Sequence, residues 1–292
     1  MTEEDCRFYL TATRAVARAA YDWAGQFFED DGYAVVLQEI DEDRDIFETS
    51  VYPLGDSERV ADAFRAWVAE NAPAEELRRE VFHDVDWVEK SLEGLKPVQA
   101  KRITVHGRHD RAAVGLGQIG IEIEAGQAFG TGHHGTTAGC LILLQDILKA
   151  ERPQTILDLG TGSAVLAIAA ARLSPAHVIA TDIDAVAVEV ARHNVRLNGV
   201  HDRVRCWTAT GFGHTAIRVG EPYDLIVANI LAGPLRRLAP EMARHLAANG
   251  SVLLSGILDE QRRSVIAAYT GQGFRHVRTI HREGWSTLHL RR

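Results

Sequence analysis

The sequence predicts an α/β protein, with a doubly wound, Rossmann-like domain preceded by a small α+β, ferredoxin-like domain. Three observations carry this. From Gly126 onward, short apolar runs alternate regularly with longer stretches of helical spacing, the pattern of parallel strands joined by helices. One of those runs, Thr155 to Leu159, feeds straight into the glycine-rich turn Asp158-Leu159-Gly160-Thr161-Gly162. The N-terminal segment alternates differently, in the order β-α-β-β-α, with room for a closing strand.

In chain order, Phe8 to Ala12 reads as a strand, and Ala15 to Phe28 as a helix with Ala, Val, Trp and Phe on one face. Gly32 breaks that helix before the strand Tyr33 to Ile40. The polar turn Asp41-Glu42-Asp43 leads into an alternating strand, Ile46 to Tyr52. Ser57 to Glu70 is helical, with Ser57 as its N-cap, and Arg78 to Phe82 closes the small domain. This places the first domain at 1–83. Residues 84–101 are amphipathic, then broken by Gly94 and Pro97, and read as a connection. The second domain, 102–292, opens with β-like pieces at Arg102 to Val105 and Ile119 to Glu124. Buried parallel strands follow at Thr155 to Leu159, Val178 to Thr181, Arg203 to Trp207, Leu225 to Ala228 and Ser251 to Ser255. Ala185 to Leu197 and Pro234 to Ala248 are helical connections between them. In such a sheet, ligands bind at the C-terminal ends of the strands.

Composition narrows the function classes. Hydrophobic residues make up 46% of the 292 residues and charged residues 25%, ordinary for a globular chain. A formal charge of -8 argues against a sequence-independent grip on nucleic acid and suits a basic partner. Cys6, Cys140 and Cys206 form no Cys-x-x-Cys pair, so neither a disulfide framework nor a zinc site is expected. The acidic N-terminus leads into no apolar core of a signal peptide, and no run is long enough to span a membrane. The reading is a cytoplasmic protein with no membrane contact.

The glycine turn is a nucleoside-site signal. Its dinucleotide form requires Gly or Ala at the sixth position, where this chain has Val165. The fit is to a tighter Gly-x-Gly-x-Gly turn, with Ala164 replacing the third glycine. About twenty residues on, Val178-Ile179-Ala180-Thr181-Asp182-Ile183-Asp184 ends a strand in an acid. Asp182 is the candidate to accept the ribose hydroxyls, and Asp184 to cap the next helix. Asp224-Leu225-Ile226-Val227-Ala228-Asn229-Ile230-Leu231-Ala232 places an Asn at the end of the fourth strand. His133-His134 reads as part of a loop over the ligand rather than as a metal site, since no Cys or carboxylate completes a ligand set. Trp67, Trp87 and Trp207 read as packing residues; Trp23 is left open between core and docking face.

Together with Ala128-Phe129-Gly130-Thr131-Gly132-His133-His134-Gly135-Thr136-Thr137, these motifs closely resemble the PrmA family, which methylates large-subunit ribosomal protein eleven. The resemblance covers residues 84 to 292 by motif, and continues through Ser255-Gly256-Ile257-Leu258 and Glu283-Gly284-Trp285. It implies S-adenosyl-L-methionine as cofactor, contacted by Thr137, Gly160, Gly162, Asp182 and Asn229 and covered by Phe129. It also implies an N-terminal domain that recognises the substrate. Two positions depart from the family pattern: Ala164, where many members have glycine, and Gly135, where some have proline or glutamate.

The implied reaction is N-methylation of lysine side chains and/or the α-amine of a ribosomal protein, met free or on the large subunit. It needs a neutral amine, which an α-amino group near pKa 8 supplies more readily than a lysine near 10.4. Asn229 is the candidate to orient that amine, and no general base is assigned. The strand end lacks the Asp-Pro-Pro-aromatic pattern of enzymes that methylate planar nucleobase amines, which favours an aliphatic amine and no direct nucleic-acid specificity. The alternatives are the same chemistry on a lysine of another protein, a nicotinamide-dependent dehydrogenase, and a non-catalytic interaction module.

Overall fold

A computed structural model describes residues 6–28, 33–41, 44–53, 57–81, 97–124 and 134–292, which fall into two compact units, 1–89 and 90–292. In the first, β1 (Cys6–Thr13), α1 (Arg14–Phe27), β2 (Ala34–Asp41), β3 (Ile46–Tyr52), α2 (Ser57–Asn71) and β4 (Arg78–Val81) follow one another. The four strands lie in the order β2-β3-β1-β4 and are antiparallel throughout.

Strand alternation builds this unit's core. Cys6, Phe8, Leu10 and Ala12 occupy every second position of β1 and are all buried. Ala17, Ala20 and Ala24 line one stripe of α1, small enough to bring the helix close to the sheet. At that contact the Thr49 hydroxyl donates to the Ala17 carbonyl at 2.6 Å. Val60, Phe64 and Val68 supply the matching stripe of α2. Burying Phe28 and Phe64 completely stabilises the unit by about 2–3 kcal/mol each. Trp23 belongs to this packing: it is half-buried and stacks on Phe27 and Trp67 at 5.3 and 5.6 Å. On the other face, Arg7 bridges Glu48 and Glu80 at 2.7 Å each.

The second unit begins with β5 (Val98–Ala100), β6 (Ile103–His106) and β7 (Ile119–Glu122), a three-stranded sheet. β5 lies inside the stretch read as a connection, where three residues bounded by Pro97 were too few to show a period. After α3 (His134–Glu151) come β8 (Thr155–Leu159), α4 (Val165–Leu173), β9 (His177–Asp182), α5 (Ala185–Leu197), β10 (Val204–Thr208), α6 (Thr215–Val219), β11 (Tyr223–Asn229), α7 (Ala232–His245), β12 (Leu246–Leu258), α8 (Arg262–Thr270), β13 (Arg275–Arg282) and β14 (Trp285–Arg291).

Seven of these strands form one sheet in the order β10-β9-β8-β11-β12-β14-β13. Neighbours from β10 to β12 are parallel; β14 runs antiparallel to both β12 and β13. The sheet divides two cores, because successive residues of a strand face opposite sides. Ile156 packs with α3, α4 and α5 through residues such as Leu144, Ile168 and Val188, whereas Leu157 and Leu159 join Leu235, Met242 and Val265. The sequence reading gave the five parallel strands to within a few residues but did not resolve the β13–β14 hairpin. β13 is an exposed edge strand with Arg and His at five of its eight positions, and so carries little apolar signal. Among the described residues no helix is long and apolar enough to cross a membrane.

Candidate functional site

The strand order reverses direction at β8: the chain runs outward through β9 and β10, then returns to place β11 on the other side of β8. The C-terminal ends of β8 and β11 therefore open a crevice that no crossover helix fills, the usual ligand position of such a sheet. Gly160 and Gly162 follow β8, Asp182 ends β9, and Asn229 ends β11.

The turn after β8 is clamped from both sides. The backbone N–H groups of Gly160 and Thr161 donate to the Thr181 carbonyl at 2.8 and 2.9 Å. The Gly162 N–H donates to Asp182 Oδ2 at 2.8 Å, and the Asp184 N–H to Asp182 Oδ1 at 3.1 Å. Beneath the turn, Asp158 Oδ2 accepts from the Thr161 hydroxyl at 2.7 Å and from the Ala167 N–H at 3.0 Å. Asp158 is only 2% exposed, and burial pushes its pKa up to about 6, against the opposing effect of those two hydrogen bonds; the nearby Asp182 charge adds to the rise.

Glycine is required at Gly160. Its φ is +72°, and a Cβ there would lie 2.3 Å from Ile230 Cγ2. Ile230, the residue after Asn229, is held from the other side by Gly256. This glycine has φ +79° at a bulge of β12 and comes so close that a Cβ would sit 2.3 Å from the Ile230 carbonyl oxygen. Ile230, just past the end of β11, is thus wedged between Gly160 in the turn after β8 and Gly256 on β12, which fixes where Asn229 emerges. Ala164 takes the third glycine's conformation outright, with φ +66° and ψ +19°, fully buried at the N-cap of α4. The alanine therefore leaves the turn in its left-handed form, at the expense of local strain.

Of the residues expected at the site, Gly160, Gly162, Asp182 and Asn229 converge on this crevice. Gly162 touches Asp182 directly, and Gly160 meets the residue beside Asn229. Thr137 lies buried in the first turn of α3. That helix packs on the far side of β11: Gly139 abuts Thr287, which bonds Ser255 at 3.0 Å, and Ser255 is the register partner of Asn229. Phe129 and His133 lie outside the described residues, as does Trp87 of the packing tryptophans. Gly135, the second departure from the family pattern, faces the β13–β14 turn, where a Cβ would meet Glu283 Oε2 at 3.0 Å and the Arg282 carbonyl at 3.2 Å. Asp184 caps α5 as expected, its carboxylate accepting from the Val186 N–H at 2.8 Å.

Two residues were given no role in the sequence reading, and a third was given a different one. Asp158 braces the turn from below; its signal was an acid inside a buried strand, two residues before a glycine. Ile183 is 70% exposed beside Asp182, an apolar side chain placed where a flat aromatic base could lie against it. Trp207, expected to pack, is instead 38% exposed at the end of β10 and stacks on His214 at 5.2 Å. Its position at the last-but-one residue of a strand that ends at the ligand side of the sheet is the reason.

Chemically, the crevice offers a carboxylate whose two oxygens each accept one backbone N–H and retain lone pairs for a pair of ribose hydroxyls. It also offers an exposed apolar surface for a base, and backbone that a ligand can approach closely at Gly160 and Gly162. The residues present fit a nucleoside cofactor. Among the described residues no group of three or more His, Cys, Asp or Glu is arranged to hold a metal ion.

Residues 13–292 match the model of a protein family described as ribosomal protein L11 methyltransferase (PrmA). Among curated relatives, the chain is 54% identical over 285 residues to a protein from Brucella suis named ribosomal protein L11 methyltransferase, covering 98% of this chain and 99% of that one. It is 53% identical over 285 residues to a protein of the same name from Mesorhizobium japonicum, covering 98% of each. Among solved structures, it is similar to a ribosomal protein L11 methylase from Lactobacillus delbrueckii subsp. bulgaricus, with a TM-score of 0.60 and 30% identity over 67% of this chain and 98% of that chain.

Proposed function

Because the chain belongs to the ribosomal protein L11 methyltransferase (PrmA) family, we propose that its larger unit methylates amine nitrogens of ribosomal protein L11, with S-adenosylmethionine as the methyl donor. The nitrogens are lysine ε-amines, the α-amine, or both. The observation that carries this reading is the meeting of the Gly160–Gly162 turn, the Asp182 carboxylate and the Asn229 strand end at the sheet's switch point.

S-adenosylmethionine, when bound, supplies an electrophilic methyl group on a sulfonium. In this reading Asp182 accepts the two ribose hydroxyls, Ile183 lies against the base, and Gly160 and Gly162 admit the ligand to within contact of the backbone. Thr137 and Asn229 contact the amino-acid end, with Phe129 covering it. Asn229 presents a side-chain or backbone carbonyl to the incoming amine, and orienting that nitrogen is its main contribution. A transfer between two bound partners gains most of its rate from proximity and alignment rather than from acid–base groups. The amine must arrive neutral, and an α-amine does so near physiological pH more easily than a lysine, unless burial lowers the lysine's pKa.

The first unit, whose β-α-β-β-α-β order is that of a ferredoxin-like sandwich, serves in this reading as the substrate-recognition domain, and the second unit, which begins with β5 rather than after residue 101, as the catalytic domain. The protein acts in the cytoplasm, on L11 free or on the large subunit, and recognises protein rather than nucleic acid. Incubation with methyl-labelled S-adenosylmethionine and the purified proteins of the large subunit tests the substrate. The reading expects label on L11; label only on another protein would transfer the same chemistry to that substrate. Calorimetry with S-adenosylhomocysteine against NAD tests the cofactor, and tight binding of NAD alone would overturn the methyl-transfer reading.

A further inference from the structure

One fully buried polar side chain ties the glycine turn to the end of β7, in the three-stranded sheet of the second unit. Asn194 lies in α5 with no solvent exposure. Its Nδ2 donates to the Ser163 carbonyl at 3.1 Å, and its Oδ1 accepts from the Glu124 N–H at 3.0 Å, just past the end of β7. One helical turn on, Asn198 makes a parallel set of bonds: its Oδ1 accepts from the Glu122 N–H at 3.0 Å, and its Nδ2 donates to the carbonyls of Glu122 at 2.7 Å and Asn194 at 2.9 Å. Asn198 stands at the C-cap of the helix that carries Asn194, and both side chains bond the backbone at and just past the end of β7. They differ in one respect that matters: only Asn194 reaches the turn.

Ser163 sits between Gly162, whose N–H is held by Asp182, and Ala164, whose left-handed conformation is strained. The segment therefore has two side-chain anchors. Asp182 fixes the donor side of the Gly162–Ser163 stretch, and Asn194 fixes the acceptor side from below. We propose that Asn194 is a positioning residue for the cofactor site: by holding the Ser163 carbonyl, it sets the orientation of the backbone that approaches the cofactor, while Asn198 serves only to join α5 to β7. A buried amide satisfies one donor and one acceptor from separate segments at once, and no apolar residue of that size can do so. This inference rests on the reading of the turn as the S-adenosylmethionine site.

The test compares Asn194→Ala with Asn198→Ala in the full chain. For each, chemical unfolding gives the loss of stability, calorimetry the S-adenosylhomocysteine Kd, and steady-state methylation of L11 separates kcat from KM. Both variants are expected to lose stability. Asn194→Ala is expected to weaken S-adenosylhomocysteine binding about tenfold and to raise the S-adenosylmethionine KM in step, with kcat at saturation little changed. Asn198→Ala is expected to keep its Kd within about twofold of the parent's. If Asn194→Ala does not fold at the assay temperature, Asn194→Ser is read by the same criterion. Equal weakening in the two positions, or an unchanged Kd in the Asn194 variant, overturns the positioning role. Failure of the parent protein to bind S-adenosylhomocysteine overturns the site reading itself, a different result from either.

Discussion

Replacing Asp158 by Asn isolates the energetic consequence of burying a carboxylate under the cofactor turn. Asp158 has an ordinary carboxylate pKa near 3.8 in the unfolded chain, and burial raises it to about 6 in the folded protein. Between those values the folded state holds a proton that the unfolded state has released. Acidification through this window therefore stabilises the fold, and raising the pH through it costs stability. Below about pH 4 both states are protonated and there is no penalty; above about pH 6 the penalty is complete, about 3 kcal/mol at about 1.4 kcal/mol per pKa unit. Asn keeps an acceptor for Thr161 and Ala167, which both donate to one oxygen of Asp158, and does not titrate. Urea unfolding of the parent and of Asp158→Asn across pH 4 to 7.5 gives the difference directly, free of groups common to both. The parent is expected to lose about 2–3 kcal/mol relative to the variant as pH rises from about 4 to about 6. A difference that stays flat, or that changes in the opposite sense, would refute the account of Asp158 as a buried carboxylate.

Other substitutions probe the site more directly. Gly160→Ala forces a side chain into a left-handed backbone and against Ile230, and should cost about 2–4 kcal/mol in denaturant unfolding while abolishing S-adenosylhomocysteine binding. Asp182→Ala removes the acceptor for Gly162 and for the ribose hydroxyls. With hydrogen bonds to a charged group worth about 1.5–3 kcal/mol each, the S-adenosylhomocysteine Kd should rise by at least about tenfold by calorimetry. Asn229→Ala should lower kcat for L11 methylation by roughly a hundredfold, with a much smaller change in S-adenosylhomocysteine Kd, since its main task is orienting the amine. A change in Kd that accounts for the whole loss of kcat/KM would move Asn229 to a purely cofactor-binding role.

The fold was legible wherever period and punctuation agreed. The strands flanking the glycine turn are continuous apolar runs ended by Gly160, Asp182 and Asn229, so both the element and its functional end could be read together. The hairpin of β13 and β14 was not, because an edge strand rich in Arg and His carries no alternating apolar signal. Ala164 was legible as a departure but not as a conformation: only the backbone shows that it occupies the glycine's left-handed angles. The braces at Asp158 and Asn194 were illegible for a different reason. Asp158 stands in the motif as an acid in a buried strand, but its bonds to the Thr161 hydroxyl and the Ala167 N–H, like those of Asn194 to backbone of other segments, depend on a fold that residue spacing does not show.

Peptide mass spectrometry of ribosomal protein L11, isolated from cells that carry this gene and from cells that lack it, tests the central claim most directly. The account predicts methyl groups on lysine side chains, the α-amine, or both, present in the first sample and missing from the second. Identical, unmethylated L11 in both samples would contradict it.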